Sequence, residues 1–371
     1  MLISYYKIDF FIILHAMEKN NVSQYDVIRH LRFPMILLVT FAHSYGGVKE
    51  GFSLLSSEWN TYEFLKLFVS QTLVKVAVPV FFIMSGYLFF SNVEKWSLDV
   101  YKAKMLRRMK TLLIPYLLWN LLMAIKLKAF SWSIFWVFWC PAGKQIDWFG
   151  QEQLMTAPAN MPLWFLRDLI IVSLLTPIIY ILVRKFGSWL MAALTVFYLS
   201  GVFAFIPGLS AYAVYFFTLG AFLSIHKMDL VETFLRFEWP AYGLSVILGV
   251  AMMLTYGTTV FSSLMLCFRL VGAIAVFCMA SRILSVTAIR LPSVVCNSTY
   301  FIYLAHYVFF FSFIDIAFFT VFGTSIPTLS VHYLIVPLLK VGLLTIVYAI
   351  YRKLNTILFP VLVSRLRKRN N

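Results

Sequence analysis

Residues 28–46, IRHLRFPMILLVTFAHSYG, decide how the rest of the chain is interpreted. This apolar stretch is long enough for a membrane-spanning helix, with a basic start and a histidine near its far end. Arg32 and His43 are eleven positions apart. At about 100° and about 1.5 Å per residue, a helix places them on nearly the same face, roughly 16 Å apart along its axis. Because ionisable side chains inside a span are costly, this face is a candidate functional site.

The composition is that of an integral membrane protein. Hydrophobic residues make up 61% of the 371 residues and charged residues 12%, against about 45–50% and about 25% in soluble domains. The mean hydropathy is +0.85. The net charge of +16 lies in short clusters between apolar runs, which reflects membrane topology and argues against nucleic-acid binding. The four cysteines have no metal-ligand spacing, so we expect neither a disulfide framework nor a metal site.

The apolar runs predict an all-α fold, a polytopic membrane helix bundle with about ten transmembrane helices. The predicted spans are approximately 29–47, 69–91, 111–130, 162–184, 188–206, 209–225, 239–256, 260–281, 298–322 and 330–351. Between the third and fourth spans, the tryptophan-rich segment 131–161 favours an interfacial helix or re-entrant piece over an eleventh span.

The positive charges predict the topology. With a cytoplasmic N-terminus, 21 of the 31 lysines and arginines lie in cytoplasmic segments and five in external ones, so we expect both termini to be cytoplasmic. We divide the chain into an N-terminal cytoplasmic segment (1–24), a ten-helix transmembrane domain (25–355) and a basic cytoplasmic tail (356–371). The polar stretch after Met17 leads into the first helix, which favours translation from Met17, with 1–16 as a start-site artefact.

Several charged residues fall at or inside the predicted spans. The basic ones are Arg32, Lys75, Arg167, Arg269 and Lys340. The others are His43, Asp168 and Asp315. On the predicted topology all except Arg32 lie in the outer half of their helices, which implies a polar cavity that opens outward. The alternative for any single residue is a structural ion pair between helices, such as Arg167 or Lys75 with Asp168 or Asp315.

Four separated stretches together resemble the membrane-bound acyltransferase 3 family, whose bacterial members acylate envelope sugars and other small acceptors. They are RFPMILLVTFAHS (32–44), KVAVPVFFIMSGYLFF (75–90), KAKMLRRMKTLLIPYLLWNLL (102–122) and PLWFLRDLIIVSLLTP (162–177). A weaker fifth stretch is STYFIYLAHYVFF (298–310). Each alone is weak in an apolar chain, but their order makes the combination specific.

The resemblance implies an acyl-CoA donor in the cytoplasm, no bound cofactor, and an acceptor hydroxyl on the far side of the membrane. The implied catalytic residues are His43, Arg32 and Arg167. The implied donor-binding residues are Arg32, Lys104, Arg107, Arg108 and Lys110, because basic side chains match CoA phosphates. Possible supporting residues are Lys75, Ser85, Tyr87, Trp164, Asp168 and His306. An imidazole can serve as base or acyl carrier, and a cation such as Lys75 or Arg167 would stabilise the oxyanion.

The chain departs from the family pattern in its first and third helices. Many members carry an aspartate three residues before the first-helix arginine, where Arg29 stands here. The paired arginines of the third helix correspond to Arg107 with Lys110, or to Lys104 with Arg107. This basic run could also serve only to set topology and bind anionic lipid. No hydrophilic esterase-like domain follows the last predicted helix, so we expect the stand-alone form.

The candidate residues also have structural interpretations. His43 could be a packing residue, and His306 could bridge helices beside its tyrosines. Ser85, in the Ser-Gly-Tyr motif, could serve close helix packing, and Trp164 could be an interfacial anchor. Because Arg167 and Asp168 are adjacent in the sequence, the two side chains are predicted to point to different sides of their helix.

Three functions therefore remain in competition. The first is an O-acyltransferase of the inner (cytoplasmic) membrane, most simply an O-acetyltransferase, that acts on a surface polysaccharide or its lipid-linked precursor. The second is a transporter of a sugar, acyl group or small anion without chemistry, although a clear internal repeat is missing from the sequence. The third is a non-catalytic partner of a polymer synthase, an alternative that Arg29 keeps open.

Overall fold

A computed structural model describes most of the chain. The described residues are 22–44, 47–127, 137–138, 141–146, 152–201, 208–287, 289–309 and 312–369. They are helical apart from loops and one antiparallel hairpin of strands β1 (Pro141–Ile146) and β2 (Glu152–Thr156). The predicted helical class is therefore confirmed, with the hairpin as an addition.

The helices of the described residues follow in chain order. They are α1 (Gln24–Ser44), α2 (Thr61–Phe90), α3 (Leu98–Lys126), α4 (Trp164–Leu174), α5 (Thr176–Phe186), α6 (Ser188–Leu199), α7 (Ala211–Ile225), α8 (Leu230–Leu235), α9 (Glu238–Leu254), α10 (Thr259–Val286), α11 (Ser293–Ala305), α12 (Ser312–Phe322) and α13 (Ile326–Arg369). Two helices include stretches that are not α-helical. Helix α2 has a π-helical stretch (Lys66–Thr72) and a 3-10 turn (Leu73–Val76), and α3 has a π-helical stretch (Met109–Leu113). Each of the ten predicted spans overlaps at least one helix.

Length and composition identify the helices that can cross a membrane. Among the described residues, α2, α3, α10 and α13 qualify, and α4 with α5 make a fifth if the bent pair is one span. Apolar helices of 10–17 residues account for α6, α7, α9 and most of α12. The chain is thus a membrane protein, while the total of about ten crossings and the cytoplasmic placement of both termini stay predictions.

Two predicted spans are interrupted. The span predicted at 162–184 bends by 63° between α4 and α5. Pro177, in the first turn of α5, lacks the N–H that would continue the helical ladder. The span predicted at 298–322 ends at Ala305 and resumes at Ser312. Both interruptions lie where the sequence pattern predicted continuous helices.

Other boundaries also differ from the predictions. The first helix starts earlier than predicted, at Gln24, and the third starts at Leu98, so the basic run lies inside a helix. The predicted N-terminal segment lies almost entirely outside the described residues. Part of the segment 131–161, predicted as an interfacial helix or re-entrant piece, also lies outside them. Its described residues include the β1–β2 hairpin and the start of a 3-10 turn (Met161–Leu163).

Helix α1 occupies the centre of the bundle. It packs against α2, α10, α11 and α13. Its inward face is apolar, with Val27, Leu31, Ile36 and Val39 buried in one continuous hydrophobic core. This packing fixes the end of α1, and with it His43, beside the end of α11.

The crossing of α2 and α7 requires glycine on both helices. A Cβ atom at Gly86 would overlap the carbonyl oxygen of Phe217, and one at Gly220 would overlap the carbonyl oxygen of Ile83. Both obstacles are backbone atoms, so the helices would have to move apart.

We expect Gly86→Ala to destabilise the protein by about 1–3 kcal/mol or more, the usual range for overpacking. The melting midpoint of the protein in detergent measures this loss. Gly243→Ala is the matched control, because a Cβ at this helical glycine meets no described atom within 4 Å and alanine favours helix. Equal melting midpoints for Gly86→Ala and the wild type would contradict the backbone clash.

Candidate active site

Two histidines meet where α1 and α11 end. His43 lies in the last turn of α1, and His306 follows the last residue of α11. Their ring centroids are 5.5 Å apart, and the ring of Tyr307 lies 5.8 Å from His43. The structure therefore brings together the two histidines that the sequence identified from separate stretches.

Hydrogen bonds define the protonation of the neutral His306 ring. Its Nδ1 lies 2.8 Å from the carbonyl oxygen of Tyr303 and 3.1 Å from that of Ile302. A carbonyl only accepts, so Nδ1 donates and Nε2 is left as the acceptor. His306 is 9% exposed, and within the described residues its buried Nε2 has no hydrogen-bond partner. A basic nitrogen next to His43 is thus open to a hydroxyl group.

The same capping contacts explain why α11 ends at this point. The imidazole of His306 contacts the Tyr303 carbonyl, which would otherwise accept a hydrogen bond from the backbone of a continuing helix, whereas the Ile302 carbonyl also keeps its helical bond from the His306 N–H at 2.9 Å. The Nδ1 contacts therefore hold the His306 ring against the last turn of α11, and Nε2 lies on the side of the ring away from this helix.

A cavity of about 100 Å³ lies against the two histidines. Its lining residues are Thr40, His43, Ser44, His306, Tyr307, Phe309, Asp315 and Lys340. A water takes about 30 Å³ of liquid volume, so this space holds a few waters or hydroxyl groups.

The far wall of the cavity is an ionic cluster around Asp315. Lys340 Nζ lies 3.2 Å from Asp315 Oδ2, and His332 Nε2 lies 3.2 Å from Asp315 Oδ1. Asp315 and Lys340 shared a predicted depth with His43, and that shared depth was the available signal. His332 was missed, since a lone histidine in an apolar helix has no distinguishing spacing.

Arg167 and Asp168 are paired with each other. Arg167 Nη2 and Nε lie 3.0 Å and 3.1 Å from Asp168 Oδ1, and the side chains are 3% and 1% exposed. Ser210 donates a hydrogen bond of 2.7 Å to Asp168 Oδ2. The prediction that the two side chains point to different sides is wrong, because the long arginine side chain folds back onto its neighbour. The catalytic role of Arg167 stays a prediction.

Lys75 approaches the histidines from α2. It lies on the 3-10 turn, close enough to His43 for the two charged forms to interact. On the same side, Arg269 of α10 stacks over the ring of Tyr212 at 4.8 Å, and the ring of Trp164 lies 6.4 Å from that tyrosine. The predicted supporting residues Lys75 and Trp164 therefore belong to one cluster of cationic and aromatic side chains.

The predicted donor-binding residues of α3 separate into two groups. Arg108 points inward: it donates to the Ser173 hydroxyl and, at 3.3 Å, to the Ser85 carbonyl, and it stacks over Phe89. Lys104 lies over the same phenylalanine ring. The other two residues, Arg107 and Lys110, are exposed. The exposed pair is free to meet a ligand phosphate, whereas Arg108 anchors α3.

The remaining predicted residues lie on helix contacts. Tyr87 is buried and donates a hydrogen bond of 3.2 Å to the carbonyl of Met228. Arg29 donates to the Ser293 hydroxyl at 2.8 Å, which joins α1 to α11. Arg32, one turn further, is partly exposed, and in the described residues it makes neither an ion pair nor a hydrogen bond.

Comparisons with known proteins agree with this architecture. The sequence profile of a family described as an acyltransferase domain, acyltransferase 3, matches residues 25–352. The succinoglycan biosynthesis protein ExoH of Rhizobium meliloti (strain 1021) is 25% identical over 180 residues. That alignment covers 45% of this chain and 46% of the relative, so the similarity spans about half of each protein. No solved structure shows significant similarity to the chain.

Proposed function

Because the chain belongs to the acyltransferase 3 family, we propose that it is a transmembrane O-acyltransferase. It moves an acyl group, most simply acetyl, from cytoplasmic acyl-CoA to a hydroxyl of an extracytoplasmic surface polysaccharide or its lipid-linked precursor. The name of the relative, a succinoglycan biosynthesis protein, supports a polysaccharide as acceptor. The cell inner membrane is the proposed location, since cytoplasmic donor and external acceptor must both reach the protein.

One observation carries the proposal: the rings of His43 and His306 lie side by side on the wall of one cavity, with their centroids 5.5 Å apart, and His306 Nε2 accepts no hydrogen bond from the described residues. In the reaction, the acceptor oxygen forms a bond to the thioester carbonyl carbon and the C–S bond breaks. An imidazole takes the hydroxyl proton and returns it to the CoA thiolate. His43 performs this transfer directly or first carries the acyl group.

Neighbouring residues supply the charges that the reaction needs. Lys75 is placed to stabilise the oxyanion of the tetrahedral intermediate, because it approaches His43 from α2. Asp315 lies across the cavity, where its carboxylate can accept hydrogen bonds from hydroxyl groups of a sugar. Lys340 and His332 hold that carboxylate in place.

The exposed pair Arg107 and Lys110 of α3 is proposed to bind the CoA phosphates, together with Arg32. We expect Arg107→Ala to raise the KM for acyl-CoA about tenfold, since one charge-assisted phosphate contact contributes about 1.5–3 kcal/mol, without changing the melting midpoint. Arg108→Ala is the informative neighbour: it should lower the melting midpoint, because it removes the contacts to Ser85 and Ser173. Equal KM values for Arg107→Ala and wild type would contradict this assignment.

A transporter is the second candidate, and the interrupted helices favour it. Transporters often place their substrate sites at discontinuous helices, and both the α4–α5 bend and the break after α11 are of this kind. In the acyltransferase proposal, the break after α11 lies at the cavity that His43 and His306 line.

One experiment separates the two candidates. Purified protein in liposomes receives acetyl-CoA labelled in the acetyl group on one side and a surface polysaccharide on the other. Acyl transfer predicts alkali-labile label on the polymer and an equal amount of free CoA. Transport predicts movement of label or sugar across the membrane without CoA release, which would overturn the acyltransferase proposal.

A further inference from the structure

Lys75 and Arg269 form a pair of positive charges beside the histidines, called here the cation pair. The turn that carries Lys75 packs against α10, where Val76 Cγ1 lies 2.6 Å from the position of a Cβ on Gly272. Arg269 is one helical turn before Gly272, so both cations lie at this helix crossing. They are close enough for their charges to repel, and Lys75 also interacts with His43.

The described residues provide no carboxylate for the cation pair. The two aspartates at similar predicted depth are already occupied, Asp168 by Arg167 and Asp315 by Lys340. Arg269 Nε is buried and has no hydrogen-bond partner within the described part of the chain. Two cations together inside a membrane-spanning bundle are costly unless an anion compensates them.

Aromatic side chains orient the guanidinium of the cation pair. Arg269 stacks over Tyr212, whose ring also lies 6.5 Å from that of Tyr198. When a guanidinium stacks on a ring, its N–H groups stay in the guanidinium plane and remain available as donors. There they match the two oxygens of a planar anion. Lys75 adds a second charge from the neighbouring helix.

We propose that the cation pair binds a carboxylate carried by a substrate, next to His43. The proposal rests on the proposed function, because the substrate is one of the two partners in acyl transfer. The carboxylate belongs either to a dicarboxylic acyl group on CoA or to an acidic sugar of the acceptor, and the chemistry of the contact is the same. A carboxylate carries one charge and is less costly to bring into the bundle than a phosphate dianion.

Ligand-dependent melting tests the binding site without any acyl transfer, so it stays informative if the catalytic proposal fails. Succinate and glucuronate serve as carboxylate probes, inorganic phosphate as a competing anion, and glucose as a neutral control. At least one carboxylate should raise the melting midpoint of the wild type in detergent, because a ligand that binds the folded state stabilises it. Lys75→Met and Arg269→Met should lose the shift.

Two sets of control variants distinguish loss of ligand binding from loss of folding. Lys75→Arg and Arg269→Lys keep the charge and should keep the shift, while Arg184→Gln removes an exposed cation elsewhere and should leave it unchanged. Absence of any carboxylate shift in the wild type would overturn the proposal. A phosphate shift equal to or larger than the carboxylate shift would overturn the choice of carboxylate.

Kinetics then identify which substrate carries the carboxylate. Succinyl-CoA is compared with acetyl-CoA, and an acceptor with uronic acid is compared with a neutral one. In Arg269→Met, the ratio of kcat/KM for the charged to the uncharged member should fall about tenfold for one of these comparisons. An equal loss for all four substrates would limit the cation pair to oxyanion stabilisation and contradict the proposal.

Discussion

Replacement of His43 by alanine is expected to reduce acyl transfer by about 10²–10⁴-fold, the contribution that a positioned acid–base group makes to a reaction rate. The reason is geometric: His43 faces the cavity at the end of a central helix, 5.5 Å from His306. Transfer of labelled acetyl groups to the polysaccharide measures the loss. The melting midpoint should change little, because the removed ring borders a cavity and leaves the apolar face of α1 intact.

His30→Ala is the matched control for this variant. His30 lies on the same helix, at its opposite end, where its ring contacts the Asp26 carbonyl at 2.8 Å. We expect this variant to keep wild-type activity. The double variant of His43 and His306 should lose no more activity than His43→Ala, since residues that act as one unit are not additive. Substantial transfer by His43→Ala would remove this histidine from the mechanism.

The positions of the helices were predictable because each span is a long apolar run. The candidate residues of α1 were selected for a different reason: the spacing between Arg32 and His43 combines with the rarity of ionisable groups in a span. Pairings between helices were not accessible in this way. The contact of His43 with His306 links residues 263 positions apart in sequence, and only the packing of α11 on α1 brings them together.

The interruptions of helices were the main structural feature that the apolar pattern concealed. Hydropathy measures whether a segment is compatible with a membrane, and it stays high across the bend at Leu175 and the break after Ala305. At the end of α11, the His306 side chain makes hydrogen bonds to the carbonyls of Ile302 and Tyr303. The candidate site residue His306 thus also contributes to the local backbone structure. Hydrophobic periodicity in a single sequence does not detect such an effect.

Replacement of Asp168 by alanine is expected to destabilise the protein by about 3–5 kcal/mol, the usual cost of removing one partner of a buried ion pair. The carboxylate is 1% exposed, and its loss would leave the Arg167 guanidinium without this counter-ion at 3% exposure. Ser210→Ala should cost less, about 1.5–3 kcal/mol, because it removes a hydrogen bond to a charged group and keeps the ion pair. Melting midpoints in detergent measure both losses.

The double variant Arg167→Met/Asp168→Leu separates structure from catalysis. Apolar side chains of similar size can replace a buried ion pair with little loss of stability, so the double variant should be more stable than Asp168→Ala. If Arg167 also acts on the substrate, the recovered stability will not restore acyl transfer. Recovery of both stability and activity would assign the pair to structure alone, and a melting midpoint of Asp168→Ala equal to that of the wild type would contradict the buried pair itself.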